Sequence, residues 1–594
     1  MSNLAREPLQ IVEIDVDYCS LTYGTGSCTA VLGSDGVRKC FNTFKTCQDT
    51  ANFDAGTLTL RFAKNQGGLP KGTLVFPALK SVSTNPTKIT LGATDDRLGT
   101  LGKRARISVG LTDFTYHDRG VDKYADERES GAAQSSGVGY DVAALGTFFG
   151  RLRARWPYYY GRALRVRNGY VGDDIASMPT RHYIITEWDG PDAAGNIKIT
   201  AQDPLKLADE DLAQCPLPTS GTLGAALTNV YTGAVTLTPS GVGSDYGASG
   251  RVCIGSEVMS YTRSGDVLTI VERGLDGTTA ATHSEGDTVQ DCYVAENALL
   301  DEVAADLLGN FAGVSSSFIP SSAWRSEVGS WLATVRLNRT IPKPVPVKKL
   351  LSELADFGVI FWWDEVDQEV KLKTNRPVGL TETVTAIDDG DTLLKDSVRR
   401  TDLDDQRLSQ VWVAHGILDV TDSVTNTENY ARLYVATDLD AETPNEYNQR
   451  RIHRIYSPWL GNVGDETIAK AVSWRLLNRY NETPQEVMFT ADIKDRTTLQ
   501  IAELVELRTR VLQDDTGASD PQQMQVTAVE ETDPGNRIKI TAQTYQFRGR
   551  YGFITENSRG DYASATDAEK TKGTYMVDGG TLVFGDGTGP YLMF

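Results

Sequence analysis

With 79 acidic against 59 basic side chains, a net charge of −20, this 594-residue chain does not offer the basic face that a nucleic-acid reader needs. Its first ten residues lack the apolar stretch of a secretory signal, and no run approaches the ~20 apolar residues of a spanning helix, so folding in a cytoplasm is expected. Forty per cent hydrophobic residues and 55 glycines suit several folded, mainly β domains with some α+β content and many turns.

The first expected strand is Gln10–Asp17, whose alternation of apolar and acidic residues leaves one face solvated. Thr57–Phe62 alternates in the same way. Between them Cys19, Cys28, Cys40 and Cys47 stand in the spacing C-x8-C-x11-C-x6-C, in a loop rich in Gly, Thr and Ser. Four clustered thiols in a reducing compartment point to a metal centre, because thiolates are soft ligands suited to zinc or an iron-sulfur cluster. The spacing lacks the paired C-x2-C knuckles of a zinc ribbon and the compact ferredoxin pattern, so two disulfides or unlinked thiols stay open as alternatives. A metal would staple a loop too poor in hydrophobes to pack alone. This four-cysteine segment is assigned residues 1–72.

Residues 73–216 read as a first β-barrel domain with one helix near Asp141–Arg155. Arg151, Arg153 and Arg155 precede Trp156-Pro157-Tyr158-Tyr159-Tyr160. They could hold a phosphate, but the preferred reading is a surface helix end running into a buried aromatic strand. The domain ends in a hairpin, Tyr183–Trp188 and then Ile197–Gln202. The sequence Ile-Lys-Ile-Thr-Ala-Gln of that second strand recurs at Ile538–Gln543, and both copies are entered through Gly-Asn. Upstream, Ala163–Asn168 matches Leu504–Thr509 more loosely. An ordinary hairpin ending is one explanation. The preferred one is an internal duplication, two copies of one β-barrel.

Between the copies, residues 217–292 suit a small all-β module and residues 293–400 an α+β domain, with helices at Ala295–Leu308 and Val347–Asp356 and a hairpin at Val359–Asp364 and Glu369–Lys373. The second β-barrel domain is placed at 401–552, with a helix at Asp465–Arg479. Residues 553–594 form a Gly-rich segment whose apolar end, Pro590–Phe594, is expected to dock. Cys215, Cys253 and Cys292 are scattered. Cys253 and Cys292 flank one β segment, and either a late disulfide or buried free thiols would fit.

The search for catalytic motifs finds no G-x-S-x-G, H-E-x-x-H, Walker loop or dinucleotide fingerprint. His117, His182, His283, His415 and His453 are too dispersed to read as a ligand set. No enzymatic activity is expected, although a pair of carboxylates meeting in space leaves no sequence mark.

Pro8–Asp15, Cys19, Tyr23-Gly24, Cys28, Lys39–Thr43 and Thr46–Asp49 together resemble the N-terminal region of tail-tip hub proteins of long-tailed phages. Ile254–Tyr261, with Arg273-Gly274, Gly277-Thr278, His283 and Gly286-Asp287, resembles a module of the same proteins. Related hubs occur in prophages and gene transfer agents. The resemblance covers most of the chain, most closely residues 8–62 and 250–290. It implies a virion structural protein of the tail tip (baseplate hub), assembled in the host bacterial cytoplasm. As a homotrimer it would close the tail tube, so that three pairs of barrels meet a hexameric ring. Implied partners are the distal tail protein ring, the tape-measure protein and tail fibres or receptor-binding proteins, acting in host attachment and DNA ejection.

Tail-tip proteins of the lambda type carry an iron-sulfur cluster on four cysteines. The resemblance therefore implies Cys19, Cys28, Cys40 and Cys47 as ligands of a cluster, of the four-iron, four-sulfur kind, with zinc the alternative. The middle gap of eleven is shorter here than in that family. Other readings are an adhesin for a host glycan or pilus, acting through 217–292 or the C-terminal segment, and a cell-wall hydrolase.

Overall fold

The structure is a computed structural model that describes residues 7–33, 37–64, 68–91, 101–209, 211–376, 384–389, 392–461, 466–492, 499–533, 537–545, 551–552 and 592–593. Alternation sets the first layer. In β1 (Pro8–Cys19), Val12, Ile14 and Val16 face the core, while Glu13, Asp15 and Asp17 lie on the opposite face, which is not solvated as expected: Glu13 is buried and the three are met by Arg61, Arg165 and Arg162. After β2 (Ala55–Ala63) come β3 (Leu79–Asn85), β4 (Arg106–Thr112), α1 (Ala125–Ser130), α2 (Phe148–Arg155), β5 (Ala163–Tyr170), β6 (Thr180–Asp189) and β7 (Asn196–Gln202). The seven strands form one sheet in the order β2-β1-β5-β6-β7-β4-β3. Phe76, just before β3, pairs with the other edge: its N–H donates to Arg61 O at 2.8 Å and its carbonyl accepts from Ala63 N at 2.9 Å. The sheet is thereby nearly closed into a barrel, filled by Phe62, Phe76, Phe148 and Phe149.

The structure departs from two local expectations. The helix expected from Asp141 begins only at Phe148: Asp141 caps a separate short turn at Val142–Ala144, and Gly146 at φ +82° breaks the path. The aromatic run after it is no strand. Pro157 has no N–H to give a ladder, Trp156 is buried, and Tyr158 and Tyr160 are exposed.

Next, β8 (Gln214–Cys215) leads into β9 (Thr222–Leu223), β10 (Gly233–Thr238), β11 (Ser249–Ile254), β12 (Glu257–Ser264), β13 (Val267–Leu275) and β14 (Val289–Asp291). The last six form a sheet in the order β14-β11-β12-β13-β10-β9, with its own core around Leu237, Val252, Met259 and Leu268. Cys253 and Cys292 meet in one small apolar cluster as free thiols, and Cys215 is also free and buried.

The chain continues through β15 (Tyr293–Ala298), α3 (Leu300–Asp306), α4 (Ser321–Trp331), β16 (Leu337–Ile341), β17 (Val345–Pro346), α5 (Val347–Ala355), β18 (Val359–Asp364) and β19 (Glu369–Thr374). The helix expected from Ala295 starts later because Tyr293–Ala298 is taken by pairing with β16. Then come β20 (Val384–Asp388), β21 (Arg399–Asp402), β22 (Gln410–Ile417), β23 (Tyr430–Thr437), β24 (Ile452–Ser457), α6 (Glu466–Tyr480), β25 (Gln485–Asp492), β26 (Leu504–Arg508), β27 (Gln522–Asp533) and β28 (Arg537–Thr544). The sheet β23-β22-β24 and α6 share one core with α3, α4 and α5. The remaining strands form a second large sheet, β20-β26-β27-β28-β25-β21. Of the C-terminal docking segment, residues 553–591 and 594 lie outside the described residues; Leu592–Met593 pairs with Tyr551–Gly552.

The two large sheets repeat each other in register. β5-β6-β7-β4-β3 corresponds to β26-β27-β28-β25-β21. Ala163 faces Ile184 as Leu504 faces Gln525, and Val109 faces Ile199 as Phe489 faces Ile540. Gly161 N donates to Ile185 O as Ala502 N donates to Val526 O, each at 2.8 Å. Both sheets bulge at the same place, at Thr186 and at Thr527. The two threonine hydroxyls donate to matching carbonyls, Thr200 O at 3.3 Å and Thr541 O at 3.1 Å. A shared hairpin ending would not reproduce a bulge and its side-chain bond. The two sheets are related, the first nearly closed into a barrel and the second a six-stranded counterpart, called the second barrel below.

Candidate metal centre

Cys19 ends β1, and the other three cysteines follow in the crossover to β2. The loop has only a small apolar cluster, Tyr23 and Ala30 packed against Tyr124 and Ala133 with Cys28, Leu32 and Cys40 beside them, so polar bonds do much of the holding. Buried Asn42, at φ +56°, carries the turn: its carbonyl accepts from Cys19 N at 2.8 Å, and its amide nitrogen reaches Cys19 O and Leu21 O. Thr43 caps the short turn Phe44–Thr46 and so sets the position of Cys47. Asp49 bonds back to Thr29 through the backbone N–H and the hydroxyl, and its own N–H donates to Cys47 Sγ at 3.4 Å.

The loop is fastened to residues 118–155. Tyr124 Oη accepts from Tyr23 N at 2.7 Å, and Lys39 N donates to Ala133 O. Arg128, fully buried against an equally buried Asp122 at 2.5 Å, donates to Cys40 O and Lys39 O. Phe41 is held between the guanidinium groups of Arg128 and Arg155, 3.7 and 3.9 Å from its ring centre. Arg155 and Arg151 both end on buried Asp118. The three arginines are accordingly structural, as preferred over a phosphate patch: Arg151 and Arg155 pair inward, and Arg153 lies over Tyr159 and Trp188.

All four cysteines line one small cleft, together with Tyr23, Asn42, Thr43 and Asp49. Burial pushes the Cys40 thiol up, and the neighbouring Cys47, Cys28 and Cys19 push it the same way; Cys47 is raised by burial and by Cys19 and Cys28. The four sulfurs thus share one electrostatic neighbourhood without being paired in disulfides. Among the described residues no three His, Cys, Asp or Glu side chains are gathered into a ready-made single-ion site.

The histidines stay apart. His283 bonds buried Glu257 at 2.8 Å, His415 bonds Gly461 O, and His182 sits beside Arg165 and Arg167, which together with burial lower its pKa to about 4. Glu257 is a further organiser. It accepts from Nε and Nη2 of Arg273 and from the N–H groups of Gly274 and Ala281, and it bonds His283. The sequence singled out these motif residues but could not show that the carboxylate gathers the other two.

No family model matches the sequence, and no curated protein matches it. Solved structures to which the chain is similar include the 43 kDa tail protein of prophage MuSo2 from Shewanella oneidensis, 11% identical over 78% of this chain and 96% of that one, with a TM-score of 0.35. A tail protein from Neisseria meningitidis is 9% identical over 74% and 88% of the two chains, at 0.34. A prophage tail protein from Listeria monocytogenes is 10% identical over 65% and 86%, at 0.29. At these values the likenesses are distant.

Proposed function

We propose that this chain is a structural subunit of a phage tail tip, a hub that closes the tail tube as a homotrimer. The observation that carries the reading is the duplication: two sheets in one chain that share the order of five strands, their register and a bulge. Three such chains present six equivalent barrels, which is how a three-fold object meets a six-fold ring. On this reading the distal tail ring and the tape-measure protein lie above it, and fibres or receptor-binding proteins attach below. The role is mechanical rather than catalytic.

The four cysteines belong to the same proposal as ligands of an iron-sulfur cluster. An all-thiol donor set on one cleft, with a backbone N–H aimed at Cys47 Sγ, suits a soft metal centre. Such a group would tie the end of β1 to its crossover loop, adding to the polar bonds that already hold it. Zinc is the alternative.

The adhesin reading has less support. The 217–292 module is not a free appendage: at Gly277, φ +81°, a Cβ would stand 1.6 Å from Leu418 O, so this turn lies flat on the β22–β23 connection.

Deleting the gene from the genome that encodes it should leave tails unassembled or without tips. Normal, tipped tails that fail only to adsorb would sink the hub and favour adhesion. Protein purified without oxygen should contain iron and acid-labile sulfide, both lost in Cys40→Ser. Zinc alone would replace the cluster, and no metal with an intact fold would return the cysteines to spare thiols.

A further inference from the structure

The second barrel is completed by the first. β26 pairs with β27 only as far as Gln525, and past that point the edge of β27 is taken over by residues from the β3–β4 connection. Ile89 N donates to Thr527 O at 2.9 Å, Lys88 bridges Ala528 in antiparallel sense, and Lys88 Nζ reaches Glu486. Ile89 and Leu91 pack with Ile501, Ala502, Ile360 and Trp362.

The matching edge on the first barrel is open. β5 pairs with β6 only as far as Ile184, Gly161 and Arg162 add their bonds to Ile185, and beyond it no strand other than β7 is paired with β6 among the described residues. By the shared register, Thr186 stands where Thr527 does, Glu187 for Ala528 and Tyr160 for Ile501. Tyr160 is 50% exposed, with exposed Tyr158 beside it, whereas Ile501 is packed. One charge is exchanged: Arg106 occupies the place of Glu486 and is met only by the exposed Glu187 at 3.4 Å, so a segment docking here should bring further acid, not a lysine.

The chain also carries a free piece of the right kind. Between β21 and β25, where the first barrel has only the β3–β4 connection, the second barrel carries the whole β22–β24 sheet. Among the described residues its edge strand β23 is paired only with β22. That strand exposes Leu433, at 48%, and Val435, and it runs directly into Asp438, Leu439 and Asp440. A free edge with apolar side chains is an aggregation risk unless it is meant to be paired.

We propose that β23 of a second copy of this chain docks on the open edge of β6 at Thr186–Glu187. Leu433 and Val435 then lie against Tyr158 and Tyr160, and the Asp438–Asp440 turn faces Arg106. The junction between chains would repeat the junction that already joins the two barrels within a chain, by addition of a strand segment to a sheet edge. A head-to-tail contact of this sort generates a ring when its rotation closes. The inference rests on the hub reading and specifies its interface.

The test uses the full-length chain, its mass followed by light scattering over a concentration series. The wild type should assemble, and Tyr160→Asp and Leu433→Asp should each weaken assembly at least about tenfold, with thermal unfolding of the separated chains unchanged because both side chains are exposed. A mixture of Glu187→Cys and Leu433→Cys chains should give an inter-chain cross-link on mild oxidation that neither variant gives alone. If the wild type assembles and both Asp variants assemble equally well, this interface is wrong while the hub reading stands. A wild type that remains monomeric at every concentration would overturn the hub trimer and the interface together.

Discussion

The two barrels are copies inside and strangers outside. Their cores keep the same register, and Ile199 and Ile540 occupy the same fully buried place in the central strand. Their surroundings have diverged. The first barrel carries the four-cysteine loop and leaves one edge open; the second buries its outer face, where Gln525 and Thr527 are almost wholly covered, beneath α6 and the first barrel's β3–β4 connection. A core must keep its volume and pattern to fold at all, whereas an outer face is free to acquire new neighbours. Duplication followed by such divergence lets one scaffold fill two positions in an assembly.

The largest effect should come from what the first barrel alone possesses. Arg128→Met would leave Asp122 charged and buried without its partner, and would release Cys40 O and Lys39 O. Breaking a buried pair in this way costs about 3–5 kcal/mol. Urea unfolding should show that loss, and limited proteolysis should cut first between residues 20 and 54. A variant as stable and as protected as wild type would mean that the cysteine loop is held by something other than this arginine.

The shared core gives the next test. Ile199→Ala and Ile540→Ala should each cost about 2–5 kcal/mol, since both remove buried methyl and methylene groups from matching strands. If one substitution were nearly neutral, the equivalence of the two interiors would be broken at its centre.

The module between the barrels has no counterpart, and it should respond to acid. Burial alone would raise the Glu257 pKa, but the Arg273 guanidinium, the Ala281 N–H and His283 outweigh it and hold the value at about 2. A carboxylate with a lowered pKa contributes stability above its ordinary value and loses it as pH falls through the folded one. Hydrogen exchange across residues 251–289 should therefore quicken as pH falls from about 4.5 towards 2, after correction for intrinsic rates, and Glu257→Gln should abolish that dependence. An unchanged pH profile in the variant would remove Glu257 from this role.

Sequence reading reached the parts of this architecture that repeat over short distances. The alternation in β1 and β2, the hairpin of β18 and β19 and the helices α5 and α6 each follow from local spacing. The recurrence of Ile-Lys-Ile-Thr-Ala-Gln pointed to the duplication, and the common bulge supplies the independent structural support. What escaped was long-range. Phe76 closing the barrel against Arg61, and Arg128 reaching back some ninety residues to Cys40, leave no periodic trace. The open edge of β6 could be recognised only by seeing the same edge filled in the other barrel.

The finest form of the comparison lies in the bulge itself. Thr186 and Thr527 each spend the hydroxyl on a neighbouring carbonyl, yet Thr527 is almost wholly buried and Thr186 is partly open to water. Replacement by Val keeps the branched shape and removes only the hydroxyl. At Thr527 the abandoned Thr541 carbonyl has little access to solvent, so the loss should approach the upper part of the usual 0.5–1.5 kcal/mol for one hydrogen bond, roughly 1 kcal/mol or more. At Thr186 water can replace the lost donor, and the cost should be a few tenths of a kcal/mol. Paired urea titrations of Thr527→Val and Thr186→Val would resolve that difference in the isolated chain. In the assembled protein the proposed docking on β6 would bury Thr186 as well, so the two costs should converge there; a gap that persisted in the assembly would argue that the edge of β6 stays exposed.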